Sequence, residues 1–371
     1  MQFGLFSLMT QRDRAKPPRE LFLEMIDQVR LAEAIGFDTA WFAEHHFSNY
    51  CLCPSPIVMA THLAGLTTRV RLGTAVIVAP LYQPLRMLED IAVLDIVSGG
   101  RAVIGFGSGY QQYEFHKFGV DLKQGRAIFL ETLDVVEQFL ERGAVAYEGK
   151  HIRVPETHFS VRTLQQRPGI YVAGLGNDPE TQSRLARSGY VPIFTSGWSQ
   201  LEEIRAVRDK VAAAYVAAGG DAARTPYAYQ RYIFVTEDRD EARRAAEAAR
   251  YIRRVAMAMR NQYAQLDGAF LKEMPAPDEP PLDEIVDRLV VGDAETCAAK
   301  LIREFEVLRP THMSCFMALP GIAPDRILKS MERFGAAVIP AIARHFGGLD
   351  RIGAPEPRGK LAPARPVAAA G

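Results

Sequence analysis

Glu44, His45 and His46 stand side by side in "WFAEHHF" (41–47), directly after a short apolar run. A carboxylate next to two imidazoles could ligate a metal, move protons, or fill a polar turn. Adjacent residues on a strand point to opposite faces, so both imidazoles are poorly placed to bind one ion. A zinc site needs further ligands, and the chain contains neither HxH nor HExxH. Histidine exchanges protons near neutral pH. The residues therefore favour a catalytic or ligand-facing histidine over an inert pair.

Other stretches could hold a ligand. "GFGSGY" (105–110) is not a dinucleotide fingerprint: GxGxxG requires glycine at Tyr110 or at Gln112. What remains is a backbone made small, which suits either a plain turn or the close approach of a planar or phosphorylated ligand. "GLGNDPET" (174–181) can open a helix, capped by Asn177 or Asp178 with Pro179 in the first turn. A helix N-terminus can seat a phosphate, but Asp178 and Glu180 repel a dianion. Arg126 could neutralise one. Thr74, Ala75 and Val76 make a small-residue stretch against which a flat ring could lie.

These residues need a scaffold. Apolar strand-like runs alternate with helical patterns along the chain. The strands are expected at 2–8, 39–43, within 69–78, and at 101–107, 169–174, 191–195, 227–235 and 312–319. Helices are expected from Glu20 to Ile35, Pro56 to Leu66, Pro84 to Val97, Arg126 to Leu140, Pro179 to Arg187, Gln200 to Ala217, Arg239 to Arg260, Ala294 to Leu308 and Asp325 to Phe346. Strands that are continuously apolar are buried on both faces. An open doubly wound sheet fits the alternation, but eight units favour a closed (β/α)8 barrel, with function where strands end and βα loops begin. Two insertions break the rhythm. Residues 144–168 read as a hairpin between the fourth helix and fifth strand. Residues 261–288, after the seventh strand, read as a lid or an irregular loop. Residues 1–350 form a single domain in this reading, and 351–371 a Pro/Ala-rich tail.

The totals exclude some functions. Lys plus Arg equals Asp plus Glu, 44 each among 371 residues. That balance gives no field for nucleic acid or an anionic membrane. No apolar run approaches the roughly 20 residues of a membrane span. Cys51, Cys53, Cys297 and Cys315 fit no zinc framework and read as free thiols of a cytoplasmic protein.

The chain resembles the bacterial luciferase-like, flavin-dependent monooxygenases. The resemblance rests on "MQFGLF", "GFDTAWFAEHHF", "RLGTAVIVAPLYQPLRMLED", "LDIVSGGRAVIGFGSGY", "FGVDL", "GRAIFLE" and, near the C-terminus, "VVGDAETCAAKL" and "SMERFGAAVIPAI". It implies a TIM barrel with reduced FMN at the C-terminal ends of the strands. It also implies O2 adding to that flavin to give a peroxide that oxidises a small organic substrate. A separate flavin reductase would supply the reduced FMN, and a homodimer is expected. By the same resemblance His45 is the acid–base residue, and Glu44 fixes His45 or the ring edge. Thr74 and Ala75 lie against the ring, often through a non-proline cis peptide. Ser196 lies near the ring, Ser108 and Tyr110 also bind the cofactor, Arg126 contacts the phosphate, and Gly176, Asn177 and Thr181 form the phosphate turn. Where luciferase carries Cys-Arg after the fourth strand, this chain has Gly107-Ser108, so Ser108 offers only a hydrogen bond. The substrate is expected under the 261–288 segment or the loops near Tyr110 and Tyr113. Two rivals remain: a deazaflavin-dependent hydride-transfer enzyme of the same superfamily, and a non-catalytic flavin-binding protein.

Overall fold

The fold is seen in a computed structural model, which describes residues 1–173, 179–277 and 279–357, with backbone only for 179–181 and 186. Eight parallel strands close on themselves. They are β1 (Gln2–Ser7), β2 (Thr39–Phe42), β3 (Arg71–Thr74), β4 (Ala102–Gly107), β5 (Gly169–Ala173), β6 (Val191–Thr195), β7 (Ala228–Val235) and β8 (His312–Phe316). Each pairs with the next, and β8 returns to β1. This is the expected (β/α)8 barrel. A short piece, Ile77–Val78, carries the line of β3 upward beside Phe106 and Gly107. Val290–Gly292 adds an outer strand to the upper half of β7.

The lower half of the barrel is solid. Trp41, Val103, Tyr171, Val191 and Ala228 fill it, and the Trp41 indole N–H donates to His312 Nε2 at 2.8 Å. Glycine makes the indole fit. A Cβ on Gly4 or on Gly73 would lie 2.4 Å from a Trp41 ring atom. Within the barrel, the space that the described residues leave open lies at the upper, C-terminal end.

The helices start where the chain chemistry says they should. Pro18, Pro56, Pro84 and Pro324 each open one, as residues without a free N–H do at a first turn. The fourth expected helix is longer than expected, Leu122–Arg142. Asp121 caps it and Gly143 ends it in the left-handed region. The last helix is broken by a wide π turn at Phe334–Val338. The 144–168 insertion is the expected hairpin, Ala144–Glu148 against Arg153–His158.

The 261–288 segment is tied down. It holds a tiny hairpin, Leu266–Asp267 against Phe270–Leu271, and a helix, Leu282–Arg288. Arg254 pairs with Glu273 at 2.7 Å and with Glu279. Asn49 takes the Leu271 N–H at 2.8 Å and gives its own N–H to the Ala269 carbonyl. The segment so braces the loop after β2. At the opposite end, residues 352–357 return to the barrel. Ile352 is buried, and Glu356 pairs with Arg71 at the foot of β3.

Candidate active site

A cavity of about 520 Å³ opens at the C-terminal mouth of the barrel. Its walls are largely apolar and aromatic, with Phe6, Tyr50, Phe194, Tyr232 and Phe316 among them. Glu44, His45, Ala75, Ser108 and Tyr110 line it, so five of the expected residues meet in one space. The Ala75–Val76 peptide in its wall is cis.

The two histidines turn to different carboxylates. His45 Nδ1 lies 2.9 Å from Glu114 Oε1. A carboxylate only accepts, so an ionised Glu114 puts the proton on Nδ1 and leaves Nε2 as the accepting atom. Tyr110 Oη stands 3.5 Å from that Nε2, and the Tyr50 ring packs 4.8 Å from the imidazole. His46 is buried between Phe47 and Phe118, and its Nε2 meets Glu44 Oε1 at 3.0 Å.

Of the two roles the resemblance gave Glu44, fixing His45 or the ring edge, the first is not seen: Glu44 holds His46. Its second oxygen accepts the Val78 N–H at 3.1 Å and the Tyr82 hydroxyl at 2.9 Å. Glu44 thus fastens β2 to the stretch that follows the cis peptide. Burial pushes its carboxyl above the usual range, with His46, Val78 and Tyr82 pulling it partly back.

The other expected residues fall elsewhere. Thr74 is fully buried, and its hydroxyl is committed to β4: it donates to the Gly105 carbonyl at 3.0 Å and accepts the Gly105 N–H at 2.9 Å. Ser196 donates to the Gln230 carbonyl. Arg126 is half-buried in the second turn of Leu122–Arg142. None of these three lines the cavity. Gly176 and Asn177 lie outside the described residues, as does the side chain of Thr181. The glycines of "GFGSGY" have a neighbour as their reason. A Cβ on Gly105 would lie 2.2 Å from the Thr74 carbonyl oxygen, and one on Gly107 2.6 Å from Val76. Among the described residues none of 261–288 lines the cavity, and Tyr113 instead donates to the Phe47 carbonyl at 3.1 Å.

Sequence reasoning missed Glu114, which sits on a helix of six residues, Gln112–Lys117, too short to show a periodic pattern. It also missed the cavity floor. Gln230 and Ser314 are neighbours in register on β7 and β8, and both line the cavity. Gln230 Nε2 and Ser314 Oγ are buried with no hydrogen-bond partner among the described residues.

Residues 1–312 match the family of luciferase-like monooxygenases. The chain belongs to that family. An uncharacterized protein of Sinorhizobium fredii, y4vJ, is 36% identical over 94% of this chain and 99% of its own length. The oxygenase component of the flavin-dependent trigonelline monooxygenase of Acinetobacter baylyi is 30% identical, over 51% of this chain and 52% of its own. That match spans only about half of each protein. Among solved structures, the monooxygenase RslO1 of Streptomyces bottropensis has the same fold. Its TM-score is 0.79 and its identity 23%, over 92% of this chain and 99% of that one. An F420-dependent secondary alcohol dehydrogenase shares it too, with TM-score 0.70 and 18% identity over 92% and 98%.

Proposed function

We propose that this luciferase-like monooxygenase is the oxygenase component of a two-component system. It takes reduced FMN from a separate reductase and uses O2 to oxidise a small organic substrate. The observation that carries this reading is His45, held at Nδ1 by Glu114 and turned by Nε2 into a cavity of flavin scale. The site fits a flavin on its own terms. The floor pair Gln230 and Ser314 offers an amide and a hydroxyl with nothing to bond. A ring edge of alternating carbonyl and N–H groups would satisfy both, since buried polar groups are costly when left unpaired. Ala75 would lie against the flat of the ring, with Ser108 and Tyr110 at its margin.

Reduced FMN, when bound, supplies the electrons that activate dioxygen. The chain's own residues do the rest. His45 Nε2 takes or returns a proton at the reacting atoms, with Tyr110 Oη beside it. Glu114 fixes the imidazole and its tautomer. The aromatic walls keep bulk water from the reaction.

The family expectation of a homodimer is part of this proposal. Val58 on Pro56–Ala64, and Val93, Ile96 and Val97 on the adjacent Pro84–Val97, are exposed apolar residues that a second copy would cover. Val97→Asp should then release monomers in light scattering. We also assign the protein to the cytoplasm, in keeping with four free, buried cysteines. Among the described residues no helix is long and apolar enough to cross a membrane.

The test is anaerobic mixing with reduced FMN followed by oxygen, read by absorbance. A transient spectrum distinct from free oxidised FMN is expected. Reoxidation identical to that of free reduced FMN, with tight binding of the reduced deazaflavin instead, would move the protein to hydride transfer.

A further inference from the structure

One cation at the cavity mouth has no carboxylate to answer it among the described residues. The cavity's own acids, Glu44 and Glu114, are buried and already bonded to His46 and His45. Arg260 also lines the cavity, as the last residue of the helix Arg239–Arg260. Among the described residues no Asp or Glu lies within ion-pair distance of it. Two other arginines of that helix are ion-paired: Arg254 grips Glu273 and Glu279, and Arg243 pairs with Asp283. The Arg260 guanidinium instead lies 5.5 Å over the ring of Tyr110. That same Tyr110 brings its hydroxyl to 3.5 Å from His45 Nε2.

A guanidinium held against an aromatic face keeps its N–H groups for a planar anion, which it binds through paired hydrogen bonds. A positive charge that no described carboxylate neutralises, at the mouth of an apolar cleft, also attracts anions as they approach. From these placements we infer that the substrate is an organic carboxylate. Its apolar or aromatic body lies among the cavity's rings, and its carboxylate pairs with Arg260. The assignment rests on the monooxygenase reading above and names its substrate class. A flavin phosphate is the other possible anion. Arg260 sits one aromatic ring from the reacting histidine, whereas the phosphate is held off from the reacting ring by the ribityl chain. The substrate's carboxylate is therefore the better match.

The probes are benzoate and its neutral analogue benzamide, titrated calorimetrically into the full-length protein with and without FMN. The wild type should bind benzoate at least about tenfold more tightly than benzamide, the scale of a charge-assisted hydrogen bond. Arg260→Gln should abolish that preference and Arg260→Lys restore part of it, with FMN affinity changed less than about twofold. Absence of a benzoate preference in the wild type overturns the inference. So does a preference that survives in Arg260→Gln, and so does a loss of FMN affinity in that variant, which would assign Arg260 to the phosphate. Failure of the monooxygenase reading shows differently: FMN is not bound or its reoxidation is unaltered, while the benzoate preference of the FMN-free protein stands.

Discussion

His45 and Glu114, distant in sequence, share a hydrogen bond of 2.9 Å, and the same Glu114 oxygen accepts the His46 N–H at 2.9 Å. One carboxylate therefore sets both the imidazole of His45 and the backbone that carries it. Removing the imidazole should remove proton transfer but little binding. His45→Ala should lower substrate oxidation about 100-fold or more, the usual worth of a general acid–base group. Its affinity for FMN should stay near wild type. Glu114→Gln keeps an acceptor but no longer dictates the tautomer, so a smaller loss in kcat, about tenfold, is expected. Steady-state rates beside fluorescence titrations of FMN separate the two effects. Equal turnover in His45→Ala and wild type would end the acid–base role.

Glu44 gives a pH prediction. Its carboxyl titrates above the ordinary 4.5 because burial penalises the charge. The folded protein therefore binds this proton more tightly than the unfolded chain does. The group's contribution to stability is full below the ordinary carboxyl range and falls as pH rises through the folded value. Glu44→Gln carries the neutral form at every pH and can still accept from Val78 and Tyr82. The Tm of the variant relative to wild type should thus rise between about pH 4 and pH 8. Glu44→Ala should be destabilised at all pH values, because the Val78 N–H and Tyr82 hydroxyl lose their acceptor. Thermal melts across the range decide it, and a flat difference for Glu44→Gln would contradict the sign argued here.

The barrel was legible because strands buried on both faces are written as largely apolar runs, such as "GIYVA" and "RAVIGFG", recurring between helical patterns. The histidine pair was legible as a candidate because a carboxylate and two imidazoles stand together just past an apolar strand run, where a barrel places its chemistry. Its partners were not. Glu114 reaches His45 from a six-residue helix far along the chain, and Glu44, expected at His45 or the ring edge, bonds to His46. Side-chain direction past the end of a strand is set by the loops, which carry no periodicity. Thr74 was read as a ring contact because it is small and central, but its hydroxyl serves a neighbouring strand. Gln230 and Ser314 were invisible for a related reason: a polar residue inside an apolar run has no partner in its own segment.

That floor pair yields a binding prediction. If Gln230 Nε2 and Ser314 Oγ meet the flavin, then Gln230→Leu or Ser314→Ala should weaken FMN about 5- to 15-fold, the worth of one net hydrogen bond. The double variant should weaken it further, with folding intact because no protein partner is lost. Fluorescence quenching on titration measures this without turnover. Unchanged affinity in the double variant would place the flavin away from the floor.

The last prediction concerns the end of the chain. Glu356 pairs with Arg71 at the foot of β3, and both side chains are nearly or wholly buried. Gly169 makes the space: a Cβ there would lie 2.4 Å from Glu356 Oε1. Breaking a buried pair by removing one partner strands the other charge in a low-dielectric site. Glu356→Ala should therefore cost about 3–5 kcal/mol, visible as a large drop in Tm. Replacing both members by apolar residues, Arg71→Met with Glu356→Leu, should recover much of that loss, because the pair's attraction only offsets its own desolvation. The cavity lies at the opposite end of the barrel, so FMN affinity should be unchanged in the double variant. A Glu356→Ala protein as stable as wild type would show that residues 352–357 merely rest on the barrel.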